Sequence, residues 1–183
     1  METKQDVIQW LEDHRQQFID VSDAIWERPE VAWQEFYASK LQADYLEKQG
    51  FKITWDVGGI NTAFCAEWGA GSPTIGFLGE YDALAGLSQK GQVTQEPLCE
   101  GDPGQGCGHN LLGVGSLTAA MAVKEGIAAG DAQGTIRYYG CPAEENGSAK
   151  AFIVKAGLFD DVDLSLTWHP GSFNACLSVN MLA

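Results

Sequence analysis

Beyond residue 70 the chain alternates between two kinds of segment. Apolar, strand-like runs at 74–79, 135–139 and 164–168 are separated by helix-like stretches at 111–129 and 148–156. This alternation predicts an α/β domain with at least partly parallel strands, because a helix must carry the chain back across the sheet between parallel neighbours. In such sheets, sites gather beyond the carboxyl ends of the strands. Here the three runs end in Gly79-Glu80-Tyr81-Asp82, Gly140-Cys141-Pro142-Ala143-Glu144-Glu145 and Trp168-His169-Pro170. The long loop-like stretch at 80–108 leads into Gly104-Gln105-Gly106-Cys107-Gly108-His109-Asn110, at the start of a helix. The candidate metal-binding side chains are therefore expected along one edge of one sheet.

The first third reads differently. Val7, Ile8, Leu11, Phe18, Val21 and Ile25 recur near helical spacing over 4–26, and Pro29 stops the run. A second helix fits 34–49, with Phe36, Leu41, Tyr45 and Leu46 on one face and Gly50 as its stop. Strands are expected at 51–56 and 62–68. Eight Phe, five Tyr and six Trp in 183 residues supply a core for about one domain.

Charge narrows the function classes. Eleven Lys and Arg against 25 Asp and Glu give a net charge of −14, a field that repels nucleic-acid phosphates and anionic lipid. Neither a nucleic-acid nor a membrane partner is expected. The N-terminus lacks an apolar signal core, and no stretch is read as approaching a membrane span. Five cysteines at scattered spacing (Cys65, Cys99, Cys107, Cys141 and Cys176) read as reduced thiols in a cytoplasmic protein. No GxSxG, Walker A or strand-linked GxGxxG pattern is present, and the zinc-deaminase spacing is absent.

Several residues can carry metal chemistry, each with a plainer alternative. Cys107-Gly108-His109 offers a thiolate and an imidazole to one ion at a helix N-terminus, or else a buried Cys beside a capping His. Glu144-Glu145, straight after an apolar strand, pairs two carboxylates that repel each other unless a cation or shared proton compensates. One can bind a metal while the other acts as general base on a metal-activated water; a solvated loop pair is the alternative. His169 is a ligand or a structural strand-end histidine. Asp82 is a ligand, a group orienting a ligand histidine, or a turn former. His14, within Asp13-His14-Arg15-Gln16, reads as surface.

Taken together, five segments resemble the M20 metallopeptidase family in its amidohydrolase branch. They are Arg28-Pro29-Glu30-Val31-Ala32-Trp33-Gln34-Glu35, Gly79-Glu80-Tyr81-Asp82-Ala83-Leu84, Gly106-Cys107-Gly108-His109-Asn110-Leu111-Leu112-Gly113, Gly140-Cys141-Pro142-Ala143-Glu144-Glu145 and Thr167-Trp168-His169-Pro170. The resemblance implies a three-layer, zinc-peptidase-like α/β catalytic domain with a mixed, largely parallel sheet, incomplete in this chain. It implies metal ligands at Cys107, His109, Glu145 and His169, a general base at Glu144, and a ligand or supporting role for Asp82. The implied cofactor is a divalent metal, zinc or manganese, with up to two ions per complete site. Four ligands would hold one ion well and leave a second short.

Residues 1–183 are expected to be the N-terminal half of such a catalytic domain, without the lid and dimerisation domain and the C-terminal half. Gln105 and Ala85 depart from the residues many relatives carry, His and Pro. The implied reaction cleaves an amide of a small N-acyl amino acid, an aminobenzoyl-glutamate or a dipeptide, with homo- or hetero-oligomers in the full-length protein. The alternative is a catalytically silent, truncated metal-binding or interaction module.

Overall fold

The computed structural model describes residues 3–175. Helix α1 (Lys4–Glu27) opens with a capping box, in which Thr3 and Asp6 each accept the other's backbone N–H. Helix α2 (Phe36–Lys48) lacks a side-chain N-cap at Glu35. Instead the Glu30 carboxylate accepts the amides of Tyr37 and Ala38 at 2.9–3.0 Å. Gly50, expected as the stop, lies just past the end with φ +87°.

Among the described residues five strands follow: β1 (Lys52–Trp55), β2 (Phe64–Ala70), β3 (Thr74–Gly79), β4 (Gly134–Gly140) and β5 (Leu164–Leu166). They form one sheet in the order β1-β2-β4-β3-β5. The β1–β2 and β2–β4 pairs are antiparallel, while β3–β4 and β3–β5 are parallel. The sheet is mixed, with parallel pairing confined to the half that follows residue 70. The parallel crossovers run through α3 (His109–Ala128) and α4 (Ala149–Lys155).

Three layers result. Helices α1, α2 and α3 cover one face of the sheet, where Phe64, Ala66, Phe77, Ile136 and Tyr138 meet Phe18, Ile25, Leu46 and Leu117. On the other face α4 and a 3₁₀ turn (Val57–Gly59) enclose Cys65, Tyr139, Cys141 and Ile153. Period-two alternation along β4 explains the division, since Ile136 and Tyr138 point one way and Tyr139 the other.

Helix α3 corrects one expectation. Among the described residues it is long and apolar enough by composition to cross a membrane. In this fold its apolar residues Val114, Leu117 and Met121 pack into the core under α1 and the sheet.

Two contacts fix the edge that matters. Gly79 and Gly140 are register partners at the ends of β3 and β4, so the chain leaves the sheet at the same level twice. A Cβ on Gly79 would overlap the hydroxyl of buried Tyr138, which donates to Gln42 Oε1 at 2.6 Å. Gly79→Ala should therefore destabilise the protein by about 1–3 kcal/mol, the usual range for overpacking. Urea unfolding checks this: the midpoint should fall while the m-value holds.

Candidate metal centre

Beyond the ends of the parallel strands, side chains from four segments converge on one imidazole. His109 is the first residue of α3, and its side chain is fully buried. Its Nδ1 lies 2.9 Å from Asp82 Oδ1, and the other Asp82 oxygen accepts the Glu145 amide at 3.0 Å. Asp82 thus ties the end of β3 to the start of α3 and to the loop after β4. With Nδ1 engaged, Nε2 points to Glu80 Oε2 at 3.2 Å, Glu145 Oε1 at 3.9 Å and Glu144 Oε2 at 4.0 Å. None of these makes a hydrogen bond to Nε2, and Glu145 Oε1 is also buried without a partner.

On the other side of His109, Cys107 Sγ lies 3.2 Å from His169 Nε2. The His109 and His169 rings meet edge to face with centroids 5.7 Å apart. Two overlapping groups therefore share His109. In each, Cys107/His109/His169 and Glu80/His109/Glu144, the potential ligand atoms all lie within 4.8 Å of one another.

Local sequence explains the geometry. Gly108 takes φ +73° between Cys107 and His109, a turn only glycine makes cheaply, and a Cβ there would press on Pro170. Gly108 has no side chain to cap α3, and Gln105 Oε1 instead accepts the Asn110 amide at 3.1 Å. Trp168 donates through Nε1 to Leu112 O at 3.1 Å, seating the segment that carries His169 on α3.

The Glu144-Glu145 turn is held from behind by a residue to which the sequence assigned no role. Glu35 is fully buried and accepts the Ala143 amide at 2.8 Å, the Trp33 amide at 3.0 Å and the Thr62 hydroxyl at 3.1 Å. Ala143 sits at φ +53°, a strained conformation for alanine that this bond helps to hold. Burial raises the Glu35 pKa above the ordinary carboxylate value despite these bonds.

Electrostatics follow the packing. Burial alone would raise the Asp82 pKa, but the bonds from His109 and from the Glu145 and Glu144 amides hold it below the usual range. Burial alone would lower that of His109, yet the Asp82 bond and the charges of Asp82, Glu80 and Glu145 raise it. Burial, a hydrogen bond with Glu145 and the charges of Glu145, Glu144 and Glu80 push the Cys107 thiol up to about 12. This reverses the expectation that the helix N-terminus favours a thiolate there. A bound cation would restore it, because coordination deprotonates a thiol.

The donor set fits a divalent cation. A buried imidazole nitrogen without a partner, surrounded by carboxylate oxygens, is otherwise a costly arrangement. Every residue expected as a ligand, Cys107, His109, Glu145 and His169, lies in this cluster, together with Glu144 and Asp82. Glu80, its neighbour after β3, was not among them. His14 lies elsewhere, half-buried and stacked on Trp10 at 4.3 Å. Cys65, Cys99 and Cys141 are free thiols outside the cluster, and Cys176 lies outside the described residues.

Comparison with known proteins gives this cluster a family context. No family model matches the chain. It is 48% identical over 174 residues to one of the subunits of p-aminobenzoyl-glutamate hydrolase from Escherichia coli, covering 94% of this chain and 36% of that protein. It is 32% identical over 177 residues to human Xaa-Arg dipeptidase, covering 88% of this chain and 37% of the dipeptidase. A dinuclear metal-binding peptidase of the M20 family from Bacillus subtilis superposes over 84% of this chain and 42% of its own, with TM-score 0.70 and 25% identity. In sequence and fold the chain resembles these proteins over most of its own length. It spans little more than a third of the length of the curated relatives it matches. An aminobenzoyl-glutamate utilization protein from Klebsiella pneumoniae shares the fold at TM-score 0.66 and 22% identity. The E. coli and human relatives are named as a hydrolase and a dipeptidase.

The Asp82–His109 pair makes a pH prediction for metal-free protein. His109 has a folded pKa above its ordinary 6.5, so its contribution is complete below pH 6.5 and fades as pH rises through the folded value. Asp82 has a folded pKa below its ordinary 3.8, so its contribution is present above pH 3.8 and is lost as pH falls through the lowered value. In Asp82→Asn, imidazole NMR titration should show the His109 pKa falling from its raised position. An unchanged titration would mean that Asp82 does not hold the ring.

Proposed function

We propose that this chain carries the metal-binding core of an amide hydrolase. The substrate class is a small N-acyl amino acid, an aminobenzoyl-glutamate or a dipeptide. The observation that carries the reading is the buried Nε2 of His109, which faces three carboxylates without a hydrogen bond. The names of the E. coli and human relatives support the substrate class.

In this reading Cys107, His109, Glu145 and His169 hold the ion, and Asp82 fixes His109 so that Nε2 faces it. A divalent ion bound there supplies Lewis acidity, making water easier to deprotonate and polarising the amide carbonyl. Glu144 is the proton carrier, and its side chain is 39% exposed against 20% for Glu145. It takes a proton from the attacking water and hands it to the leaving amine. Glu35, through Ala143, keeps Glu144 at its station. Thiolate and imidazole favour zinc, while the carboxylates also suit manganese. A reducing, cytoplasmic setting would keep Cys107 available as a ligand. In a longer protein this chain would be one part of the catalytic domain.

Two measurements check the assignment. Elemental analysis of chain purified without chelator should find about one or two equivalents of divalent metal. A combined Cys107→Ser, His109→Ala variant should lose it, and well-folded wild-type chain without metal would contradict the reading. Turnover of aminobenzoyl-glutamate or a dipeptide by protein carrying this chain should fall at least about 10²-fold in Glu144→Gln, with metal content retained. Undiminished turnover would remove Glu144 from its role.

A further inference from the structure

Glu80 is the buried carboxylate that the proposed ligand set leaves unused. Its side chain is only 8% exposed, and its two oxygens face different partners. Oε1 is paired with Lys150, the second residue of α4, in the layer across the sheet. Oε2 lies 3.2 Å from His109 Nε2 and yet makes no hydrogen bond with it. Ligand atoms bound at about 2.0–2.1 Å to one tetrahedral zinc sit roughly 3.3 Å apart. A short separation without mutual alignment is thus what two ligands of a common ion show.

Charge points the same way. Glu80, Asp82, Glu144 and Glu145 crowd one imidazole, and among the described residues Lys150 is the basic residue besides His109 that pairs with any of them. One ammonium cannot offset such a group, whereas a divalent ion adjoining Glu80 can. The independent sign of a ligand is His109 Nε2, fully buried, unpartnered and aimed at the same space.

Resting on the metal-site reading above, the geometry points to Glu80 as a further metal ligand, bound through Oε2 to the ion on His109 Nε2. Lys150 holds the other oxygen and so turns Oε2 toward the ion. The site then has five ligands in this chain rather than four.

Co²⁺ titration of the 183-residue chain tests this, with affinity read by competition against a chromophoric chelator and coordination by the visible d–d bands. Glu80→Gln should weaken Co²⁺ binding at least tenfold and change the band positions or intensity. Glu100→Gln, on an exposed loop, should do neither. If Glu80→Gln fails to fold because Lys150 is left unpaired, the double variant Glu80→Gln, Lys150→Met removes both charges, and the same losses are expected. Affinity within twofold of wild type would overturn the inference while leaving the metal-site reading intact. Weaker binding with an unchanged spectrum would also overturn it, since Glu80 would then act only through its charge. Wild-type chain that binds no Co²⁺ would overturn both.

Discussion

The site depends on one hydrogen-bonded carboxylate. Asp82 receives His109 Nδ1 on one oxygen and the Glu145 amide on the other. It joins the end of β3, the start of α3 and the loop after β4 at a single buried point. The arrangement turns His109 Nε2 away from its support and toward Glu80, Glu144 and Glu145. Without it, nothing in the cluster would compel the imidazole to present that nitrogen rather than the other.

The fold exists to hold that point. Gly79 and Gly140 end adjacent parallel strands at one level, so the two acidic segments leave the sheet side by side. Helix α3 starts where they leave, with glycine at its turn, and Trp168 fastens the His169 segment to its first turns. Glu35 reaches from the start of α2 to steady Ala143 in its strained conformation. Two buried groups that would each be costly alone, the Glu80 carboxylate and the unpartnered His109 Nε2, face each other across one space. Their costs make sense together if a cation binds there.

Much of this was legible in the sequence. The alternation after residue 70 located β3, α3, β4, α4 and β5 to within a few residues, and the rule about strand ends predicted a common edge. Glu144-Glu145 stood out because adjacent carboxylates after an apolar strand need a reason. The tighter details were hidden for physical reasons. Glu80 and Asp82 lie just past the end of β3, where strand alternation no longer sets which way a side chain turns. Lys150 could not be foreseen, because its partner lies 70 residues away in another layer. Glu35 had no role assigned from the sequence, and only packing shows it buried beneath the loop. The Cys107 thiol is another such case. Its sequence context favours thiolate, and burial together with the neighbouring carboxylates, both set by folding, reverses that in the metal-free protein.

The central claim is that a metal ion sits where Cys107, His109 and the carboxylates converge. X-ray absorption at the zinc edge of zinc-loaded chain tests it most directly. The account predicts a mixed shell: one sulfur at about 2.3 Å from Cys107, with nitrogen and oxygen neighbours at about 2.0–2.2 Å. The sulfur component should vanish in Cys107→Ser. A shell of oxygen alone, with no sulfur and no imidazole scattering, would place the ion elsewhere on this acidic surface and contradict the account.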